Sequence, residues 1–177
     1  MAKILAFAGS NSSTSINYKL VKYTVSLIEE HQIQKVNMAK LPFPMYSSDY
    51  EKKHGYSNSL VELKGDIEKA DGVILSVNEH NSNPSAFFKN VLDWLSRVDR
   101  NFLNGTKVLL MATSPGKGGA KYALEVINQM LPRFGAEIIV TYSLPSFSEN
   151  FDEEKGILDS ELAAMHTSAI QNFLASL

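Results

Sequence analysis

Cysteine is absent from all 177 residues. That one absence removes disulfides, thiolate metal sites and a cysteine nucleophile, and it suits a reducing compartment. Charge of one sign is lacking too: 17 Lys and Arg stand against 19 Asp and Glu, for a net charge of −2. Such a balance gives no electrostatic case for nucleic acid or an anionic membrane as a partner. No apolar run approaches the ~20 residues of a membrane span. Met1-Ala2-Lys3 leads straight into the first apolar run, so no signal peptide is expected and a cytoplasmic protein is. The four His are scattered, and His80 has no second His or Asp at metal spacing, so no metal site is expected. Gly9 has no companion glycines, which excludes the dinucleotide fingerprint G-x-G-x-x-G. Gly116-Lys117-Gly118-Gly119 is not followed by Ser or Thr, which excludes a Walker A loop.

What is present is an ordinary globular composition, 44% hydrophobic and 20% charged, long enough for one domain over residues 1–177. Strand-like and helix-like runs alternate. Lys3 to Ala8 reads as a strand, Ser15 to about Glu30 as a helix and Gln34 to Met38 as a weak strand. Leu60, Leu63, Ile67 and Ala70 mark a second helix, closed by Asp71-Gly72, and Val73 to Val77 a continuous apolar strand. Phe87 to Val98 is a third helix, Val108 to Ala112 a strand, and Ala120 to Leu131 a helix stopped by Pro132. Ile138 to Tyr142 is a fifth strand, and a last helix runs from an Asp159 cap to Leu174. Repeated β-α units imply a parallel sheet with helices on both faces. The irregular stretch Leu41 to Tyr50, with prolines alternating with aromatics, fits neither helix nor central strand. It reads equally as a rim loop over a ligand or subunit contact and as a plain connection.

Three loops stand out. After the first strand, Ser10, Ser12, Ser13, Thr14 and Ser15 place five hydroxyls in six positions ahead of a helix. A helix cap needs about one such acceptor. The excess, with unpaired N–H groups and the positive end of the helix dipole, suits a phosphate held without Lys or Arg. After the third strand, Asn78-Glu79-His80-Asn81-Ser82-Asn83-Pro84-Ser85 sets a polar cluster at the end of a buried strand, where a polar ligand face is expected. After the fourth, Thr113-Ser114-Pro115-Gly116-Lys117-Gly118-Gly119 offers close backbone approach and positive φ, though by itself it reads as a flexible turn. Asp93 and Arg97 read as a solvated i,i+4 pair.

These stretches carry a resemblance. Gly9-Ser10 with Ser15-Ile16-Asn17 and Leu20, then Glu79-His80-Asn81 with Lys89-Asn90 and Asp93-Trp94-Leu95-Ser96-Arg97, then Thr113-Ser114-Pro115-Gly116 with Gly118-Gly119, resemble the three motifs of the NAD(P)H-dependent FMN reductase family. The resemblance implies a flavodoxin-like three-layer sandwich with a five-stranded parallel sheet of order 2-1-3-4-5. It implies an FMN phosphate on Ser10, Ser12, Ser15, the Ile16 backbone and Asn17. The flavin ring would lie between Asn78, Glu79, His80 and Asn81 on one side and Ser114, Pro115, Gly116 and Gly119 on the other. NADPH or NADH would be the co-substrate, quinones, flavin or azo compounds the small-molecule acceptors, and a homodimer or homotetramer the assembly. Pro42 to Tyr50 and the Phe87–Arg97 helix would form its interface. Ser12 stands where many members have Arg, which implies a weaker hold on the phosphate by roughly 1.5–3 kcal/mol.

A flavodoxin-type electron carrier is the alternative, but such proteins are strongly acidic, to be steered to redox partners. A receiver domain needs acidic residues at the end of the first strand, where Ala6-Phe7-Ala8 stands. A phosphoester hydrolase needs a nucleophile with a base, or metal ligands. No side-chain acid or base is assigned to catalysis, because the flavin carries that chemistry.

Overall fold

The computed structural model describes residues 1–41 and 43–177. Pro42, the first residue of the expected interface stretch, lies outside the described residues. In chain order the elements are β1 (Lys3–Ala8), α1 (Ile16–Ser26), β2 (Gln32–Val36), α2 (Ser48–His54), α3 (Asn58–Glu68), β3 (Gly72–Val77), β4 (Glu79–His80), β5 (Asn83–Pro84), α4 (Ala86–Val98), β6 (Lys107–Thr113), α5 (Lys121–Met130), β7 (Glu137–Leu144), α6 (Phe147–Asn150), β8 (Phe151–Asp152), β9 (Gly156–Ile157) and α7 (Ser160–Ser176). The main sheet is parallel throughout, in the order β2-β1-β3-β6-β7. Counting only its strands, that is the expected 2-1-3-4-5.

The central strands β1, β3 and β6 are covered on both faces, which is why they are near-continuously apolar. β3 has no exposed residue. Leu5, Phe7, Val73, Leu75, Val108 and Leu110 point into one core with Leu60, Leu63 and Ile67 of α3, Val91 and Leu95 of α4, and Ile127 of α5. Ile4, Ala6, Ile74, Leu109 and Met111 point into the other, against Leu20 and Val21 of α1 and Ile170 and Phe173 of α7. Alternate residues of a strand face opposite sides, so one apolar run serves both layers.

Several boundaries differ from the sequence expectation. α1 stops at Ser26 rather than near Glu30. β2 lies over Gln32–Val36, and Met38 instead opens a 3-10 turn capped by Asn37. Ser48 to Tyr50 are not irregular: Ser47 accepts from the Tyr50 N–H and starts α2. The helix after the second strand ends at Glu68, and Gly72 already belongs to β3. α5 does end at Met130, just ahead of Pro132, and Leu131–Phe134 follow as a 3-10 turn in which the missing proline N–H is harmless. Two small hairpins, β4–β5 and β8–β9, interrupt the simple alternation. Arg97 does not pair with Asp93. It reaches Glu51 of α2 at 3.0 Å, while Asp93 takes Lys89 at 2.6 Å.

Candidate functional site

In this topology the carboxyl ends of β1, β3 and β6 are adjacent, and the chain order reverses between β1 and β3. Ligand crevices of open parallel sheets form at that reversal. All three unusual loops leave from these ends.

Asn17 holds them together. It is 2% exposed on the first turn of α1. Its amide donates to the Thr113 carbonyl at 3.1 Å, and its oxygen accepts from the Ser76 hydroxyl at 2.7 Å and the Thr113 N–H at 3.1 Å. One side chain thus joins the loop after β1 to the ends of β3 and β6. Its side chain is therefore engaged inside the protein and not presented to a ligand. Ser15 is similarly engaged, as the N-cap of α1 accepting from the Tyr18 N–H. Ser10 is buried and accepts from the Ser12 N–H at 3.3 Å. Ser12, Ser13 and Thr14 remain exposed. Among the described residues the Ile16 and Asn17 N–H groups have no hydrogen-bond partner, as expected for a first helical turn.

Gly9 is needed for packing. A Cβ there would lie 2.6 Å from Cγ of buried Phe88, so its smallness admits α4 rather than a ligand. The loop after β3 is a tight hairpin, with Asn81 and Ser82 both at positive φ (51° and 60°), the signature of a two-residue I′ turn. Two bonds fix it. The Ser85 hydroxyl donates to the Gly9 carbonyl at 2.9 Å. Glu79 accepts from the Tyr122 and Ala123 N–H groups at 2.9 and 3.0 Å. Glu79 thereby caps α5, whose own N-cap Ala120 has no side-chain acceptor. Its carboxylate is structural, not ligand-facing. His80 is exposed, with a ring nitrogen 3.2 Å from the Asn78 amide nitrogen. Among the described residues Asn78 Oδ1 is buried without a partner, an acceptor left open at the end of the central strand. Leaving such an atom unpaired costs about 1–3 kcal/mol.

The loop after β6 is strapped to the next segment. The Gly116 and Ser114 carbonyls accept from the Ser146 and Phe147 N–H groups, both at 3.0 Å. Of its three glycines only Gly119 has positive φ, and a Cβ there would strike Ser143 Oγ at 2.2 Å. Gly116 meets nothing closer than 4.0 Å, so the loop's outer face is bare.

Sequence reasoning missed Ser76, and it named Ser85 and Thr113 only as members of their loops, without their partners. The signal was there: a hydroxyl inside an apolar strand, as in Val73-Ile74-Leu75-Ser76-Val77, must find a partner when buried.

A sequence profile described as NADPH-dependent FMN reductase matches residues 2–148. The chain belongs to that family. It is similar to the quinone reductase of Escherichia coli, with 32% identity over 126 residues, 66% of each chain. The chain thus spans just under two thirds of that relative's length. It is also similar to the NADPH:quinone oxidoreductase of Arabidopsis thaliana, with 26% identity over 90% of this chain and 83% of that one. Among solved structures it matches the flavoenzyme NAD(P)H:(acceptor) oxidoreductase of Paracoccus denitrificans, with a TM-score of 0.79, 25% identity, and 99% and 96% of the two chains covered.

The residues present fit the family's cofactor. FMN offers a phosphate and a flat ring with polar edges. The chain offers two free N–H groups at the positive end of α1, three exposed hydroxyls, an unpaired acceptor at Asn78 and a bare glycine face at Gly116.

Proposed function

We propose that this protein is an FMN-dependent NAD(P)H oxidoreductase that delivers electrons to quinones or similar small acceptors. The observation that carries the proposal is the convergence of three loops on one crevice, locked by Asn17, in a chain of this family. When bound, FMN accepts hydride from the nicotinamide and returns electrons to the acceptor.

The protein's own part is positioning. The first turn of α1 and the hydroxyls of Ser12, Ser13 and Thr14 hold the phosphate by neutral donors and the helix dipole. Ser10, Ser15 and Asn17 fix the shape of that loop from within, and Ile16 contributes its N–H. Asn78 Oδ1 accepts from a donor on the ring edge. Glu79, through α5, keeps the β4–β5 hairpin with His80 and Asn81 facing the crevice. Ser114, Pro115 and Gly116 supply the opposite wall, and Gly119 its turn. No side-chain acid or base is needed.

The same proposal takes the protein to be cytoplasmic, which suits its lack of cysteine, and to work as a homodimer or homotetramer. Met45 is 70% exposed ahead of α2, and Tyr50 on α2 and Tyr56 after it are exposed as well. Light scattering that returns a monomer would overturn the assembly.

The test is the visible spectrum of the protein with added FMN, before and after anaerobic NADPH or NADH. Binding followed by rapid bleaching of the oxidised band is expected. A bound flavin that stays oxidised with both nucleotides would make the protein a carrier, and no binding would refute the FMN assignment.

A further inference from the structure

The Ser-rich loop ahead of α1 carries no Lys or Arg, and the nearest cation along the chain is Lys19, at the end of the first turn of α1. The Lys19 N–H bonds to the Ser15 carbonyl at 3.0 Å. Side chains of a helix lean toward its N-terminus, so the Lys19 stem leans toward the turn that holds Ser15 and Ile16. The Ile16 N–H is three residues back, about 4.5 Å along the helix axis, within reach of a flexible four-carbon stem.

In the flavin-free chain the ammonium is engaged elsewhere. Lys19 Nζ lies 2.5 Å from Oε1 of Glu153, at the tip of the β8–β9 hairpin. Glu153 is the one carboxylate within 4.0 Å of it among the described residues. The two side chains are 33% and 64% exposed, and ion pairs so open to water are weak. The hairpin has other anchors. Phe151 meets Tyr23 of α1 edge to face at 5.5 Å and stacks on Phe147 at 4.7 Å. Gly156 lies so close to Tyr23 that a Cβ would stand 2.3 Å from Cε2 of its ring. Asp152 closes the hairpin's turn, accepting from the Glu154 and Lys155 N–H groups, both at 2.9 Å. Lys22, the next cation on α1, is further from the loop, with Nζ 5.8 Å from the Tyr18 ring centre.

Resting on the FMN reading above, we propose that Lys19 joins the neutral donors at the phosphate, and that Glu153 competes with FMN for it. The exchange replaces a carboxylate of charge −1 by a phosphate of charge near −2, with charge-assisted hydrogen bonds to the ammonium. It supplies from α1 the positive charge that position 12 lacks. The hairpin stays on Tyr23 when Lys19 leaves it, so Glu153 sets how tightly the phosphate is held without being part of the fold's support.

The flavin-free protein is titrated with FMN and, separately, with riboflavin, which lacks the phosphate, and quenching of flavin fluorescence is read. Lys19→Met is expected to weaken FMN about tenfold and to leave riboflavin unchanged. Lys19→Arg should keep the wild-type affinity, and Glu153→Gln should tighten FMN about threefold. In the Lys19→Met background that gain should vanish, which separates competition for Lys19 from plain repulsion of the phosphate. Unchanged FMN affinity in Lys19→Met, an equal loss for riboflavin, or a Glu153→Gln gain that survives without Lys19 overturns the proposal. The titrations need no nucleotide, so a flavin that binds as expected but is not bleached by NADPH or NADH sinks the reductase reading alone. Wild-type protein that binds neither flavin sinks the FMN assignment itself.

Discussion

Replacing Asn17 with alanine should destabilise the flavin-free protein by about 3 kcal/mol. The figure follows from three lost hydrogen bonds at about 1 kcal/mol each. Asn17 makes two bonds to Thr113 and one to Ser76, and Ser76 is fully buried. Truncation therefore leaves a hydroxyl, an amide N–H and a carbonyl short of partners that water does not readily reach. For a domain of this size that loss lowers Tm by about 6–12 °C. Urea unfolding followed by far-ultraviolet circular dichroism gives the free energy directly. The decisive comparison is the double variant with Ser76→Ala. Removing the orphaned hydroxyl should recover part of the loss, so the double variant should be more stable than the sum of the singles predicts, by about 1 kcal/mol. Strict additivity, or a loss below about 1 kcal/mol for Asn17→Ala alone, would refute the locking role. A ligand-facing Asn17 would leave the flavin-free protein unchanged and weaken only FMN binding.

His166 is 1% exposed, and burial pushes its pKa down to about 4 from 6.5. Between these values the unfolded chain binds one more proton than the folded one. Stability present above pH 6.5 should fall by about 3 kcal/mol as pH drops to 4, and urea midpoints for His166→Gln should show a correspondingly flatter pH dependence. Glu79→Ala should lose the α5 cap and about 1 kcal/mol, or about 2–4 °C in a thermal melt; an unchanged Tm would refute the cap. Gly116→Leu should leave the flavin-free melt within about 0.5 kcal/mol, because its new Cβ meets nothing closer than 4.0 Å. It should weaken FMN at least about tenfold in a flavin-fluorescence titration, and unchanged affinity would place the ring elsewhere.

Much of the architecture was readable from periodicity. The apolar runs at Lys3–Ala8 and Val73–Val77 and the stripes on the helices between them mark a doubly wound sheet, because a strand covered on both faces has no polar side to show. The order of the strands is not written in such runs and came from the motif resemblance. The site was legible as loops but not as contacts. Asn17 and Glu79 belong to motifs where a ligand was expected, yet both face inward. Which way a polar side chain points depends on partners 96 and 43 residues away, Thr113 and Tyr122. Local pattern does not encode those distances. The loop holding Asn81 and Ser82 could be read as a turn from its Asn, Ser and Pro, but not as a hairpin: without glycine, two successive positive φ angles leave little trace in the sequence. Arg97 was matched to the carboxylate nearest along the helix, while the folded chain offers Glu51 of α2 a better approach.

The lock on the crevice sets a schedule for synthesis. Asn17 leaves the ribosome 96 residues before Thr113, and Thr113 is itself fixed by a hydroxyl bond to the carbonyl of Leu144. At about 5–20 residues per second the first loop waits roughly 5–20 s for its partner. During that interval Asn17 remains hydrated and the Ser-rich loop has no counterpart strands. A nascent chain shorter than about 144 residues therefore lacks the bond that fixes Thr113, and the three loops come under one lock only late in translation.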